Sequence, residues 1–124
     1  MTAPTGNQSR RLNESLRSLT AYYLTSEGFD AEASSIHSKI STALEAGLLP
    51  DVTGVPGIWI DVSARGNHRL SVDLDSARAT AALAGYPVTA LVQSRGGRGI
   101  DEAFVVTSLA DFAKLANGDH LPPP

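Results

Sequence analysis

The sequence predicts a small α/β domain in which helices cover a mixed β-sheet. Segments with apolar residues every three to four positions alternate with short runs rich in β-branched residues, and Gly and Pro separate the two kinds of segment. A chain of 124 residues suffices for one core and is too short for two. Its 42% hydrophobic and 19% charged residues are ordinary globular usage, which argues against disorder along the whole chain.

The first helix is predicted to run from Leu12 to Gly28, because its apolar residues recur on one face: Leu12, Leu16, Leu19, Tyr23 and Leu24. Residues 1–9 are polar and are predicted to form a flexible N-terminal arm. Residues 10–118 then form the domain, and residues 119–124 form a Pro-rich tail that cannot continue a helix or pair in a sheet.

The next segment, residues 31–47, leaves two interpretations open, because its apolar spacing fits a helix while residues 34–41 also fit a strand. After a bend, residues 58–63 alternate with a period of two and predict a strand. Ile58, Ile60 and Val62 are expected on one side of this strand. Trp59, Asp61 and Ser63 are expected on the other.

The second half of the chain predicts four more elements. Residues 72–84 are Ala-rich and predict a helix with Asp73 and Asp75 in its first turn. Residues 87–92 and 103–107 predict strands, joined by a loop at residues 94–99. A last helix is predicted after the N-cap Ser108, with an apolar face made of Leu109, Phe112, Ala113 and Leu115.

Composition excludes several kinds of site. The chain has no cysteine, so disulfides, thiolate nucleophiles, iron–sulfur clusters and cysteine zinc sites are excluded. The three histidines, His37, His68 and His120, are too far apart for a local zinc motif. No apolar run is long enough for a membrane span and no secretory pattern opens the chain, so we expect a cytoplasmic protein that does not bind membranes.

Charge limits the ways in which the chain can bind nucleic acid. Ten Lys and Arg against 13 Asp and Glu give a formal net charge of −3, so any DNA binding must come from a local basic patch. Lys39 and Lys114 are the only lysines, so only these two residues could supply a catalytic lysine.

Two carboxylates form the first candidate site. Asp51 begins a bend, and Asp61 follows ten residues later on the next strand, with Gly and Pro between them to fold the chain back. The two carboxylates can therefore meet and, with water and a substrate phosphate, suit Mg²⁺. The other interpretation also stays open, in which Asp51 is a turn residue and Asp61 faces solvent on a half-buried strand.

Two basic loops form the second candidate site. The loop at residues 94–99 combines glycines, which let a backbone approach phosphate, with Arg95 and Arg98. A solvated hairpin loop explains the same residues equally well. A second small basic loop carries Arg65, His68 and Arg69, with the histidine more simply explained as an exposed residue.

The run Asp51-Val52-Thr53-Gly54-Val55-Pro56-Gly57 and the strand after it resemble the core of the PD-(D/E)XK nuclease superfamily, in particular small Holliday-junction-resolvase-like proteins of actinobacterial phages. Those proteins run Asp-Ile-x-Gly-x-Pro-Gly into a strand that ends Glu-x-Lys. The resemblance covers about residues 12–116 and includes the Ala-rich helix and the Gly/Arg loop. It implies a restriction-endonuclease-like domain, a Mg²⁺ or Mn²⁺ cofactor, DNA as the partner and a homodimer.

The sequence departs from this family where the chemistry is expected. The strand ends Asp61-Val62-Ser63, so Ser63 replaces the lysine that places or activates water in the family. Arg17 stands where the family's first helix carries an acidic residue, with Glu14 one turn earlier on roughly the same face. The Gly/Arg loop also carries less positive charge than the family's loop. Each lost general base or electrostatic donor typically costs about 10²–10⁴ in rate.

Two hypotheses for function follow. In the first, the chain is a degenerate nuclease-fold protein, phage-derived, with weak or lost catalysis, that acts by binding DNA or a protein partner. Its weak contact with phosphate or DNA is expected through Arg65, Arg69, Arg95 and Arg98. In the second, it is an active Mg²⁺-dependent endonuclease. The resemblance then implies Asp51 and Asp61 as metal ligands, Glu14 as an auxiliary ligand and Gln93 or Ser94 near the water. It puts Ser63 at the catalytic position of the family's lysine.

For the homodimer, the exposed side of Tyr22, Tyr23 or Phe29 is the surface we expect. If the chain is phage-encoded, its compartment is the cytoplasm of the bacterial host.

Overall fold

A computed structural model describes residues 6–34, 49–63 and 69–122, with side chains from residue 13 onward. These described residues form three α-helices, five strands and one 3₁₀ turn at Ile100–Glu102. The helices are α1 (Gly6–Ser26), α2 (Leu70–Leu83) and α3 (Leu109–Asn117). The strands are β1 (Glu32–Ala33), β2 (Val52–Thr53), β3 (Ile58–Ser63), β4 (Val88–Gln93) and β5 (Phe104–Val106).

The five strands form one mixed sheet in the order β1-β2-β3-β4-β5. Neighbours pair antiparallel except β3 and β4, which are parallel and aligned from Ile58 beside Val88 to Ser63 beside Gln93. A parallel pair needs a crossover connection, and α2 supplies it. The predicted α/β domain with a mixed sheet is therefore confirmed.

Both faces of β3 are covered. Ile60 and Val62 pack with Leu16 of α1, whereas Trp59 packs with Ala77 and Ala81 of α2. The predicted division of the strand into two sides is correct. The interpretation of a half-buried strand is wrong, because the crossover helix covers the second side and leaves only one end of it open.

Helix α1 begins at Gly6, so residues 6–9 of the predicted arm belong to it. These residues lack an apolar face but also lack a proline, and a helix already anchored further along can extend through such a segment. The segment at residues 31–47 contains strand β1, and its residues from 35 onward lie outside the described part of the chain.

Helix α3 has the predicted N-cap, since the amide of Asp111 donates to Ser108 Oγ at 3.1 Å, but its predicted apolar face is wrong. Leu109 is 82% exposed and Phe112 58%, while Asp111 is only 5% exposed. Asp111 Oδ2 accepts the amide of Thr89 at 3.0 Å, just beyond the point where β5 stops pairing with β4. An unpaired buried N–H is costly, so the helix turns Asp111 toward the amide of Thr89. This orientation leaves Leu109 and Phe112 exposed.

The residues after α3 fold back onto the domain. The amide of Asp119 donates to the carbonyl oxygen of Lys114 at 2.9 Å, and His120 packs against Gly57, where a Cβ would overlap the carbonyl oxygen of His120. The predicted tail at residues 119–124 is thus packed at its start, because this close backbone contact anchors it. Residues 123–124 are outside the described range. None of the helices in the described ranges is long and apolar enough to cross a membrane.

Candidate functional site

Asp51 and Asp61 lie side by side at one end of the sheet. The amide of Asp51 donates to Asp61 Oδ1 at 3.1 Å, and the amide of Val62 donates to Asp51 Oδ2 at 3.0 Å. Asp61 therefore accepts a hydrogen bond from the backbone of Asp51, and Asp51 accepts one from the backbone of Val62, the residue after Asp61. The convergence predicted from the sequence is present, and both side chains have a structural role in holding β2 to β3.

The turn between β2 and β3 produces this convergence. The two strands pair antiparallel with Val52 opposite Ile60, so the residues one step further out, Asp51 and Asp61, also lie opposite each other. Gly54 has a φ of +94°, and a Cβ there would overlap the carbonyl oxygen of Asp30. A glycine is thus required for the turn and for the close approach of the segment before β1.

Arg17 supplies a buried positive charge beside this pair. It lies on α1, is 4% exposed, and its Nη1 is 3.8 Å from Asp51 Oδ1. The same Nη1 donates to the carbonyl oxygen of Ser34 at 3.1 Å. The amide of Ser34 in turn donates to the carbonyl oxygen of Asp51 at 2.8 Å. Arg17 therefore ties α1 to the residues that flank β1 and β2.

A polar cleft of about 250 Å³ opens beside the carboxylates, between the end of β3 and α2. Three carboxylates line it, those of Asp51, Asp61 and Asp73, together with Ser63 and Asn13. No lysine or arginine is among the described residues that line the cleft. Its lining is therefore acidic, and Arg17 is the positive group in contact with Asp51.

Ser63 is buried at the end of β3, and its Oγ is 3.5 Å from Asp73 Oδ2 in the first turn of α2. From the sequence, Asp73 is expected only to favour the helix dipole, and its place in the cleft is a finding of the structure. The signal was available, because a helix that crosses from β3 to β4 must start near the end of β3, and acids in its first turn then face that end.

The other three residues expected near the metal or the water, Glu14, Gln93 and Ser94, do not line the cleft. Glu14 is exposed and does not line the cleft; Asn13 lines it instead. Gln93 is buried directly beside Ser63 in the parallel pair, and Ser94 is exposed just after β4. Neither Gln93 nor Ser94 lines the cleft. Within the described ranges, no group of three or more His, Asp or Glu side chains is suited to hold a metal ion.

The arginines of the Gly/Arg loop are held by the two elements that follow the loop, the 3₁₀ turn and β5. The guanidinium of Arg95 lies 4.5 Å from the centre of the Phe104 ring, and its Nη1 donates to the carbonyl oxygen of Glu102 at 3.4 Å. Arg98 Nη1 pairs with Glu102 Oε1 at 3.1 Å. Arg69 is exposed next to the start of α2. Arg65 and His68 are outside the described residues.

Lys114 is far from the carboxylates. Its Nζ donates to the carbonyl oxygen of Pro87 at 3.0 Å and lies 3.7 Å from Asp111 Oδ1. Pro87 precedes β4, whereas Asp61 lies beside Leu91, four residues further along that strand. At roughly 3.3 Å per residue, these two positions are separated by about 13 Å along β4. The other lysine, Lys39, is outside the described residues.

Comparisons of the chain with protein-family models, with curated proteins and with solved structures find no match.

Proposed function

We propose that this chain is a degenerate nuclease-fold protein, resembling the small resolvase-like members of the PD-(D/E)XK superfamily, that binds DNA or a protein partner while phosphodiester hydrolysis is weak or lost. It acts in the cytoplasm, that of a bacterial host if the chain is phage-derived. The mixed sheet covered by helices agrees with the fold that the resemblance implies.

The observation that carries the proposal is the buried contact between Arg17 and Asp51. A divalent cation at Asp51 would lie beside a guanidinium that cannot lose its charge, and the two like charges would repel each other. Asp51 Oδ2 already accepts the amide of Val62, and Oδ1 faces Arg17. The oxygen ligands are of the type that Mg²⁺ prefers, but Arg17 already neutralises the carboxylate of Asp51 that the ion would need. We therefore derive no step through a metal.

The missing ammonium group supports the same conclusion. Hydrolysis of a phosphodiester needs a deprotonated, positioned water and positive charge at the phosphoryl oxygens. Ser63 supplies no charge, and Lys114 is engaged at the opposite end of β4. The acidic cleft would repel a phosphate that approached without a cation.

The arrangement of the basic loops supports DNA as a partner. Strands β3 and β4 are parallel, so the loops that follow them leave the sheet at the same end, where both strands have their C-termini. Arg69 ends the first of these loops, and Arg95 and Arg98 lie in the second. Arg95 donates to the backbone carbonyl oxygen of Glu102, and Arg98 pairs with the Glu102 carboxylate, so both side chains are restrained and the charge of Arg98 is partly offset. Weak, salt-sensitive contact with phosphate is the expected result.

The second hypothesis, an active Mg²⁺-dependent endonuclease, is favoured by the three carboxylates of Asp51, Asp61 and Asp73 in one cleft. Asp73 adds an acidic group to the two carboxylates, Asp51 and Asp61, that the resemblance implies as metal ligands. If Mg²⁺ overcame the charge of Arg17, these oxygens are the ones it would use.

A cleavage assay on junction and duplex DNA with Mg²⁺ or Mn²⁺ separates the two hypotheses. The variants are Asp51→Ala, Asp61→Ala and Ser63→Lys, since a lysine at residue 63 would place an ammonium group at the cleft beside Asp73. We expect little or no cutting by the wild type. A gain of cutting by Ser63→Lys would show that the missing ammonium group, and not the charge of Arg17, is what abolishes hydrolysis. Metal-dependent cutting by the wild type that either alanine variant abolishes would overturn the proposal.

A further inference from the structure

An exposed aromatic ring lies on the same face of the sheet as the cleft. Phe104, at the start of β5, is 49% exposed. It pairs with Gln93 of β4, and Gln93 pairs with Ser63 of β3. Paired residues of neighbouring strands turn their side chains to the same face, so Phe104 shares the face of Ser63, which lines the cleft. Two strand spacings place it about 10 Å from Ser63.

Arg95 lies over this ring. Its guanidinium carbon is 4.5 Å from the ring centre, and its Nη1 donates to the carbonyl oxygen of Glu102 at 3.4 Å. This hydrogen bond uses the edge of the planar guanidinium and holds the group on the ring. Arg95 stays partly exposed, and Phe104 is half-exposed. The two side chains, the Arg95–Phe104 pair, therefore form a restrained surface that is both cationic and aromatic.

A second arginine lies beside the pair. Arg98 Nη1 bonds to the carboxylate of Glu102, and Arg95 bonds to the backbone carbonyl oxygen of the same residue. Arg98 is half-exposed, so it can contact a phosphate next to the pair. The three carboxylates of the cleft lie on the other side of Gln93 and repel phosphate. A nucleic-acid strand is thus directed to the side of the sheet that carries the pair.

Charge alone gives this surface little affinity for DNA. The net charge of the chain is −3, and Glu102 offsets part of the charge of Arg98. Stacking of one base on an aromatic side chain raises affinity by about tenfold, which is more than an exposed ion pair supplies. A base is therefore the part of a DNA strand that gains most from contact with the pair.

The base that stacks must lie outside a duplex. Paired bases stack on each other and present only their edges in the grooves, whereas unpaired bases can be splayed onto aromatic rings and arginine planes. Such stacking tolerates any base, because every base has a π-face. The Arg95–Phe104 pair therefore favours a strand with unpaired bases over an intact duplex.

We infer that the Arg95–Phe104 pair is a stacking site for an unpaired nucleobase, so the DNA that the chain binds is single-stranded or carries unpaired bases. The inference rests on the proposed function, because it takes DNA as the partner, and it adds the form of DNA that is bound. It also gives Arg95 a second role, since the planar face of its guanidinium contacts the base while its charge attracts phosphate.

Fluorescence anisotropy of the full chain at low salt with three DNA probes tests the inference. The probes are a single-stranded oligothymidylate, a strand of the same length whose residues are abasic, and a blunt duplex. The abasic strand keeps the phosphates and lacks the bases, so we expect the wild type to bind it about tenfold more weakly than the oligothymidylate. Phe104→Leu removes the ring, and Arg95→Lys keeps the charge without the planar face. Each should abolish this difference, while binding of the abasic strand stays unchanged.

Phe112→Leu is the matched control, because Phe112 is 58% exposed on α3, whose Lys114 is bonded at the other end of β4. Its preference for the oligothymidylate should equal that of the wild type. Circular dichroism checks the fold of each variant, and Arg95→Lys carries the test alone if Phe104→Leu does not fold.

The outcomes separate this inference from the proposed function. A wild type that binds the duplex and both single strands equally would overturn the inference and leave DNA binding in place. A wild type that binds none of the three probes would overturn the inference and also remove DNA as the partner. A preference that survives both Phe104→Leu and Arg95→Lys, or one that Phe112→Leu also abolishes, would contradict the stacking site alone.

Discussion

Arg17 determines how the carboxylates of this site behave. It is buried, 3.8 Å from Asp51 Oδ1, and bonded to the carbonyl oxygen of Ser34. A buried charge is tolerated only with a partner, so Arg17 and Asp51 depend on each other. The contact makes Asp51 part of the framework that joins α1 to the sheet.

Replacing Arg17 should therefore destabilise the fold. We expect Arg17→Met to lower the free energy of unfolding by about 3 kcal/mol, the lower end of the range for breaking a buried pair, because Asp51 keeps its bond from Val62. Urea unfolding followed by circular dichroism measures the loss. Adding Asp51→Asn should restore part of it, since the unpaired buried charge is then removed.

Arg78→Met is the control for this experiment, because Arg78 is an exposed arginine on α2. Its effect should stay within about 0.5 kcal/mol. A loss in Arg17→Met no larger than in Arg78→Met would show that the buried contact adds nothing to stability.

At the level of elements, the β2–β3 turn decides whether the site forms. Gly54 combines a φ of +94° with close contact to the backbone of Asp30. Gly54→Ala should cost about 1–2 kcal/mol for the left-handed conformation and a further 1–3 kcal/mol for the overlap, measured as the free energy of unfolding.

Gly85→Ala isolates the first of these costs. Gly85 has a φ of +82° with no atom within 4 Å of the added Cβ, so only the conformational cost applies. If Gly54→Ala and Gly85→Ala were equally destabilising, the turn would tolerate a side chain and the account of how Asp51 and Asp61 meet would fail.

The elements also show where sequence periodicity succeeds and where it does not. The two sides of β3 follow from its alternation, since each side meets one helix. The orientation of α3 does not follow from periodicity, because the buried amide of Thr89 competes for that face and only Asp111 can satisfy it. That amide lacks a strand partner only because β5 is short, which no local pattern indicates.

The candidate site was predictable to a similar degree. The meeting of Asp51 and Asp61 follows from the Gly-containing turn between two strands, which is a local feature. The position of Asp73 depends on where the crossover helix starts, and the burial of Arg17 depends on how α1 packs on the sheet. Both are tertiary facts that the spacing of residues does not contain.

For the whole molecule, the net charge of −3 means that the proposed DNA binding depends on the rim formed by the loops after β3 and β4. We expect weak binding to duplex DNA at low salt, measured by fluorescence anisotropy, with a slope of about −0.9 in log affinity against log salt for each phosphate contacted. Arg69→Gln, Arg95→Gln and Arg98→Gln together should flatten this slope. Arg78→Gln should leave it unchanged, and an equal loss in that control would contradict the rim as the binding surface.

The most direct test of the central claim is a calorimetric titration of the wild type with Mn²⁺, compared with Asp61→Ala. The account predicts no saturable binding in the wild type and no difference from Asp61→Ala, because Arg17 already supplies the positive charge beside Asp51. Saturable binding by the wild type that Asp61→Ala abolishes would contradict it.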